Sequence, residues 1–227
     1  MKTAISKELD NLLLELMNNP LLDDYFLVGG TNLAYRYNHR ESIDLDLFTF
    51  KEFSLIENQN LNIKLNEFYK NRIDTQSVSN VGIFTFIDNI KVDLVRYPYP
   101  LMWNVEIFNN MRFAHPLDIG AMKLSAITDR GSRKDFYDIH RLLKDYPLST
   151  LLKIFQEKYK INNQNHVLRS LTYFNDAEDV AKRQNNFVMV DKTITWNKVK
   201  NDIKGSVYNL YQEKNHKTEI KFKGRKR

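Results

Sequence analysis

Two short stretches of the amino-acid sequence decide the fold: residues 25–31 (YFLVGGT) and residues 42–48 (SIDLDLF). The first is an apolar run that ends at two glycines and a threonine, which is typical of a strand that turns directly into a helix. The second alternates between acidic and apolar residues, and this period of two predicts a strand with one buried face. Together the two stretches predict a mixed α/β core.

Gly29 and Gly30 indicate a phosphate site at this turn. Glycine lets backbone N–H groups approach an anion closely, and the N-terminus of a helix favours negative charge. Thr31 belongs to the residue types that cap helices, so we expect the helix to begin there. A plain strand-to-helix turn without a ligand has the same local pattern, and the turn by itself leaves both interpretations open.

Three aspartates are the candidate metal ligands. Asp44 and Asp46 are two apart on the predicted strand and therefore share one face. Two carboxylates on one face repel each other unless a cation lies between them, and Mg²⁺ prefers oxygen ligands. Asp93 lies in a second apolar strand, predicted at 90–95. If the strands are neighbours, the three acids can hold two metal ions that activate a hydroxyl and stabilise a leaving phosphate. The alternative is a set of solvated acids on an edge strand or turn.

The other face of the first strand is expected to enter the core through Ile43, Leu45 and Leu47. Before the acids, a helix is predicted at 8–17, and after them one at 55–72, with Ile56, Ile63, Leu65 and Phe68 as its buried residues. Strands are predicted at 81–87 and 90–95, joined by a turn at Asp88-Asn89.

From Leu117 onward the pattern is helical, with helices predicted at 117–129, 134–144, 148–159, 167–174 and 196–211. We therefore expect a mixed α/β core at 1–114 and a helical lobe at 115–213 that completes the active site. A basic tail at 214–227 is expected to be disordered.

The charge distribution separates this tail from the body. The chain of 227 residues has 34 basic and 28 acidic side chains and a net charge of +6. Seven of the basic residues and one of the acidic residues lie in 214–227, so the body is neutral. The tail is therefore either a solvated end or an accessory contact to the phosphates of RNA.

Missing residue types and motifs exclude several classes of function. The chain has no cysteine, which excludes disulfides, thiolate zinc sites and a cysteine nucleophile. Its seven glycines form neither a dinucleotide-binding nor a Walker motif, and its five histidines form no metal-binding pair. No apolar run approaches about 18 residues and no signal peptide is present, so we expect a cytoplasmic protein without a membrane segment.

Taken together, the motifs resemble known nucleotide-transferring enzymes. The residues Gly29-Gly30-Thr31, Arg40, Ser42 and Asp44-Leu45-Asp46 resemble the signature of the polymerase-β-like nucleotidyltransferase superfamily. The second half of the chain is similar to the AbiEii/AbiGii family of nucleotidyltransferase toxins. That similarity is carried by Asp118-Ile119-Gly120-Ala121-Met122-Lys123-Leu124 and by Lys134-Asp135-Phe136-Tyr137-Asp138-Ile139. The resemblance extends from about Tyr25 to about Tyr211.

The resemblance implies an α/β (α+β) fold, with a polymerase-β-like nucleotidyltransferase core built on a mixed sheet and an all-helical C-terminal lobe. It implies transfer of a nucleoside monophosphate from an NTP, in a bacterial type IV toxin–antitoxin or phage-defence system. The acceptor would be RNA, including the 3′ end of tRNA, and a separately encoded antitoxin would be a partner.

The resemblance also implies the roles of individual residues. Two Mg²⁺ ions, or Mn²⁺ in their place, would be bound by Asp44, Asp46 and Asp93, with Asp93 as the base toward the attacking hydroxyl. The NTP would be held by Gly29, Gly30, Thr31, Asn32, Arg40 and Lys123. The catalytic set would be completed by Lys123, Asp135 and Asp138.

Simpler interpretations exist for several of these residues. Lys123 could be a surface lysine, and Asp135 could only favour the dipole at the start of its helix. Asp138 could pair with Arg141 or Lys134, and Arg40 could only brace the carboxylates. For the whole chain, the alternatives are a related transferase acting on a protein or small-molecule hydroxyl, or a non-catalytic nucleotide-binding module that works through protein contacts.

Overall fold

The computed structural model describes residues 3–178 and 188–224, of which residues 214–224 are described by their backbone alone. The chain divides into two compact units. The first runs through Ile119 and also includes residues 188–191, and the second contains the rest of the chain from Gly120. The division therefore falls slightly later than the change of pattern seen near residue 114.

One mixed sheet of seven strands forms the centre of the first unit, in the order β3-β4-β5-β2-β1-β7-β6. The strands are β1 (Phe26–Leu27), β2 (Asp44–Thr49), β3 (Ile73–Val78), β4 (Gly82–Ile87), β5 (Ile90–Arg96), β6 (Glu106–Phe108) and β7 (Met111–Phe113). The pairs β2–β5 and β1–β7 are parallel, and the other neighbours are antiparallel. This arrangement confirms the expected α/β class with a mixed sheet.

Helices flank this sheet in the first unit and form the second. The helices are α1 (Lys7–Met17), α2 (Gly29–Tyr37), α3 (Leu55–Tyr69), α4 (Pro116–Asp129), α5 (Arg133–Leu142), α6 (Leu148–Tyr159), α7 (Asn165–Thr172) and α8 (Trp196–Gly224). Helix α8 extends well beyond its predicted end at Tyr211, so the backbone of the basic tail is helical through Gly224, where the sequence predicted disorder. Among the described residues, no helix has the length and apolarity that crossing a membrane requires.

The core of the first unit follows the predicted pattern on α1 and β2. Leu13 and Leu16 of α1 are fully buried, as are Leu45 and Leu47 of β2. The prediction for Ile43 is wrong, because the strand begins one residue later, at Asp44, and the Ile43 side chain is 69% exposed.

Helix α3 buries a different stripe from the predicted one. Ile56, Ile63 and Phe68 are all more than half exposed, and of the predicted set only Leu65 is buried. The buried stripe is Leu61, Leu65 and Tyr69, spaced four residues apart so that one face lies toward β3 and β4. The helix ends at Tyr69 rather than Arg72, and β3 follows almost at once.

Some strands were recognised from sequence and others were not. The turn Asp88-Asn89 between β4 and β5 is confirmed, with φ values of 51° and 63° that asparagine and aspartate tolerate. Strand β3 was missed because its residues are mostly polar and exposed, and β6 and β7 because each has only three residues.

Arg112 of β7 connects three separate segments of the first unit. Its guanidinium donates to the carbonyl oxygens of Tyr25 (2.6 Å), Met17 (3.0 Å) and Leu22 (2.9 Å). These carbonyls lie at the start of β1, at the end of α1 and in the short turn between them. One cationic side chain thereby donates to three backbone carbonyls from separate segments and joins them.

We expect Arg112→Met to lower the free energy of unfolding by about 2–4 kcal/mol, because three acceptors lose a charged donor. Arg72→Met is the matched control, since Arg72 pairs with Glu15 and Asp88 at the surface and should cost about 1 kcal/mol or less. Equilibrium unfolding in urea measures both. Equal losses for the two variants would contradict the bridging role of Arg112.

Candidate active site

The acidic residues of β2 and β5 lie on adjacent strands. These strands pair in parallel, with Asp46 opposite Asp93 and Asp44 opposite Lys91. Side chains alternate along a strand, so all four of these residues point to the face opposite Leu45 and Leu47. The condition for convergence of the three aspartates, that their strands be neighbours, is therefore met.

The glycine pair lies directly against this face. Gly29 has a φ of +70°, and a β-carbon added to it would come within 2.1 Å of Asp46 Oδ2. A β-carbon on Gly30 would come equally close to Arg40 Nη2. The backbone at the start of α2 thus contacts both a carboxylate and a guanidinium, and only glycine permits this approach.

Thr31 does not cap the helix, which begins at Gly29 after Val28. The predicted cap is wrong because Thr31 lies inside the first turn, where its buried hydroxyl contacts the Ser42 hydroxyl at 2.8 Å and the backbone carbonyl of Asp44. Ser42 Oγ in turn donates to Asp44 Oδ1 at 3.3 Å. Thr31 and Ser42 therefore fix α2 against β2 and orient the first aspartate.

Asn32 also contacts the protein itself. Its side-chain amide donates to the carbonyls of Leu27 (2.8 Å) and Ala114 (3.0 Å), and its oxygen accepts from Arg36 Nε (3.0 Å). The side chain is fully buried. These contacts connect β1 to the residue that follows β7 and use the side-chain amide of Asn32, whose predicted contact with an NTP stays a prediction.

Arg40 is a buried cation at the edge of the glycine turn, only 2% exposed. Its Nη1 donates to the carbonyl of Glu41 at 3.0 Å. A backbone bridge to Met189 and a hydrogen bond from Glu41 N to the Val188 carbonyl (2.8 Å) hold this residue in place. A guanidinium buried here makes the turn favourable for an anionic ligand.

Asp93 has one paired and one unpaired oxygen. Its Oδ2 accepts from Lys91 Nζ, whereas Oδ1 is buried without a hydrogen-bond partner within the described part of the chain. A buried carboxylate oxygen without a partner is costly and is expected to have a ligand in the working state. The role of Lys91 was missed from the sequence, although its spacing of two from Asp93 places both on one face.

Across residues 3–178 and 188–213, no three acidic or histidine side chains are grouped closely enough to form a ready-made metal site. Lys91 holds Asp93, and Ser42 holds Asp44. The donors nevertheless fit a hard divalent cation, because they are carboxylates and the buried Oδ1 of Asp93 is unpaired.

A second charged cluster, which we call the lysine cluster, lies in the helical unit. Lys123 Nζ is 2.8 Å from Asp135 Oδ1 and 2.8 Å from Asp138 Oδ2, and Arg130 Nε is 3.2 Å from Asp135 Oδ2. Both aspartates are fully buried and Lys123 is 6% exposed. Lys123 is therefore not a surface lysine. Arg141, one of the partners considered for Asp138, instead pairs with Asp145 at 3.0 Å.

The lysine cluster favours the ionised form of the buried Asp135. Burial alone would raise the pKa of Asp135, but the adjacent charges of Lys123 and Arg130 more than offset this, and the pKa is lowered from its ordinary value. The cluster thus depends on its lysine, because without that charge two buried carboxylates would face each other.

Comparison with known proteins places the chain among nucleotide-transferring toxins. The model of the family described as "Nucleotidyl transferase AbiEii toxin, Type IV TA system" matches residues 11–205. An uncharacterized protein of Aquifex aeolicus is 35% identical over 179 residues, which cover 77% of this chain and 85% of that protein.

Two solved structures share the fold at low sequence identity. JHP933 from Helicobacter pylori has a TM-score of 0.52 and 18% identity, covering 98% of this chain and 100% of that one. The nucleotidyltransferase toxin MenT4 from Mycobacterium tuberculosis also has a TM-score of 0.52, at 13% identity, covering 86% of this chain and 79% of that one. These likenesses confirm the polymerase-β-like nucleotidyltransferase fold.

We expect Gly29→Ala to lower the free energy of unfolding by about 1–3 kcal/mol, because the new methyl group meets Asp46 and the φ of +70° disfavours alanine. Gly205→Ala in α8 is the matched control. Nothing lies within 4 Å of its added carbon, so it should stabilise the protein by up to about 1 kcal/mol. Urea unfolding measures both changes in the free energy of unfolding. Changes of the same sign in the two variants would contradict this geometry.

We expect Lys123→Met to lower the free energy of unfolding by about 3–5 kcal/mol at pH 7, because it leaves two carboxylates buried without their cation. The pH dependence should also reverse. In the wild type, the lowered pKa of Asp135 contributes stability that is lost as the pH falls below about 4. In the variant the pKa of Asp135 should be raised, so stability should increase as the pH falls from 7 toward 5.

Urea unfolding between about pH 2 and pH 8 measures both the loss of stability at pH 7 and the reversed pH dependence. Lys153→Met, which removes an exposed helix pair with Glu157, is the control and should change little. Replacing Asp135 and Asp138 by asparagine in the Lys123→Met protein should recover part of the loss. Parallel pH profiles for wild type and Lys123→Met would be incompatible with the lysine cluster as an electrostatic unit.

Proposed function

Because this chain belongs to the AbiEii family of nucleotidyltransferase toxins of type IV toxin–antitoxin systems, we propose that it transfers a nucleoside monophosphate from an NTP to a hydroxyl group of RNA. The observation that carries the proposal is the register of β2 and β5, which sets Asp46 beside Asp93 on the face that Gly29 touches. Carboxylates and a phosphate-binding turn meet at this one place.

We propose Asp44, Asp46 and Asp93 as the ligands of Mg²⁺. Three carboxylates can bind two such ions, and Mn²⁺ can replace Mg²⁺. The unpaired Oδ1 of Asp93 supports this assignment. When bound, such a cation neutralises phosphate charge and lowers the pKa of a hydroxyl group.

The glycine turn and Arg40 are proposed to hold the triphosphate. The first N–H groups of α2 have no partners within the helix, and the dipole of the helix favours an anion there. Arg40 adds a fixed positive charge next to Gly30. The side chains of Thr31 and Asn32 form hydrogen bonds within the protein. We propose that they fix the glycine turn against β2 and β1.

Asp93 is proposed as the base. The acceptor oxygen attacks the α-phosphorus of the NTP, its proton passes to the Asp93 carboxylate, and the bond from the α-phosphorus to the oxygen that bridges to the β-phosphorus breaks to release pyrophosphate. Lys91 Nζ contacts the other oxygen of Asp93 and thereby holds the carboxylate in a fixed orientation for the transfer.

For Lys123, Asp135 and Asp138 the catalytic roles implied by the resemblance stay predictions. Their contacts support a positioning role, since these charges already pair within the helical unit. An antitoxin encoded elsewhere is proposed as the protein partner, on the basis of family membership.

A protein hydroxyl is the second candidate acceptor. The body of the chain outside residues 214–227 is electrically neutral and has no excess of basic residues for a long RNA. A transferase that binds only the end of an RNA needs few phosphate contacts. The neutral body therefore limits the length of RNA that is bound, and RNA stays the first candidate.

We expect Asp46→Asn to reduce transfer of label from α-³²P-labelled NTPs into cell-extract RNA by at least about 10³-fold, because the charge that binds the metal is lost. The melting temperature should stay within a few degrees of that of the wild type. Asp23→Asn, a change of an exposed aspartate outside the site, is the control and should transfer at the wild-type rate. Wild-type labelling by Asp46→Asn would refute the assignment of the site.

A further inference from the structure

Two aromatic residues of β4 extend the acidic face on its outer side. Phe84 pairs with Asp93 across the antiparallel β4–β5 ladder, and Phe86 pairs with Lys91. Paired residues point to the same face, so both rings lie on the face that carries the three aspartates. We call Phe84 and Phe86 the aromatic strip.

The rings of the aromatic strip have no aromatic partner. Within residues 3–178 and 188–213, neither ring stacks on another ring, whereas Phe48 stacks on Tyr97 and Phe26 on Phe50. Phe86 is 36% exposed, although Thr85 and Ile87 beside it are buried. A large apolar ring left open next to a group of acids is a candidate contact for a ligand.

The order of the strands places the glycine turn and the aromatic strip on opposite sides of β2. The glycine turn follows β1, which lies on one side of β2, and β5 and β4 lie on the other side. With neighbouring strands about 4.8 Å apart, the aromatic strip lies about 10 Å from β2, beyond Asp93. A triphosphate at the glycine turn therefore leaves the acceptor to approach from the side of the strip.

The surroundings of the strip suit a nucleic-acid base better than an apolar peptide. Lys91, which pairs with Asp93 and whose side chain is 48% exposed, adds a positive charge beside the strip. On the other side, Asp74 of β3 pairs with Phe86 and accepts from Gln76 Nε2 at 2.8 Å, and Ser77 pairs with Phe84. A flat apolar surface with polar groups along its border matches a base, which has an apolar face and polar edges.

We propose that the aromatic strip stacks on the unpaired base of the nucleotide that carries the attacking hydroxyl. This inference rests on the proposed nucleotidyl transfer and names its acceptor more closely, as a single-stranded nucleic-acid end. Stacking on an aromatic ring tolerates every base, so the strip selects an unpaired end over a duplex end and gives little preference for sequence.

The test uses the full chain and a fluorescein-labelled single-stranded RNA of 12 nucleotides, with the same RNA in a blunt duplex for comparison. Fluorescence anisotropy at about 0.15 M salt should show tighter binding of the single strand. Phe86→Ala should weaken that binding about fivefold or more, because stacking on one base accounts for a factor of about 5 to 150. Phe86→Trp should bind like the wild type.

Two controls separate this result from unfolding and from loss of NTP binding. Phe68→Ala removes a phenylalanine that is 55% exposed on α3 and should leave RNA binding unchanged. The rise in melting temperature caused by Mg²⁺ and NTP should be the same in the wild type, Phe68→Ala and Phe86→Ala.

Single-strand binding by Phe86→Ala at wild-type strength would overturn the inference, as would a wild type that does not prefer the single strand. A loss of the NTP effect in Phe86→Ala would also overturn it, because the strip would then take the base of the NTP. None of these outcomes bears on nucleotidyl transfer itself, which the labelling assay with Asp46→Asn tests independently.

Discussion

Gly29 lies so close to Asp46 that a β-carbon on it would come within 2.1 Å of the carboxylate. The site depends on this contact, because it brings the start of α2 and the acidic face of β2 together. The hydrogen bond from Val28 N to the Asp46 carbonyl (2.9 Å) and the contacts of Thr31 with β2 hold the arrangement. Asp93 then joins the site through the parallel register of β5.

The charged groups of the two units behave differently. In the first unit, Asp93 retains a buried oxygen without a hydrogen-bond partner in the described part of the chain. In the helical unit the lysine cluster combines two aspartates with Lys123 and Arg130. A carboxylate with an unpaired buried oxygen is suited to binding a ligand, whereas a paired buried cluster is suited to fixing helices. The two motif blocks of the sequence therefore differ in physical role.

Much of the first unit could be predicted from short-range patterns. Alternation along β2 and β5 identified the strands and the shared face of Asp44 and Asp46, because side-chain direction in a strand follows directly from sequence spacing. The stripe of α3 could not be assigned correctly, since apolar residues occur on several faces and only packing on β3 and β4 selects one. Other contacts form only in the folded chain, and the local sequence pattern does not predict them. Examples are the pairing of Lys91 with Asp93 and the buried contacts of Asn32.

Nucleotidyl transfer by the acids of β2 and β5 is most directly tested with NTPs labelled at two different positions. The wild-type protein is incubated with Mg²⁺, cell extract and each NTP carrying ³²P at either the α- or the γ-phosphate. The account predicts that label from the α-position becomes covalently attached to RNA and that label from the γ-position is released as pyrophosphate. Attachment of the γ-label, or the absence of any α-label on a macromolecule, would contradict it.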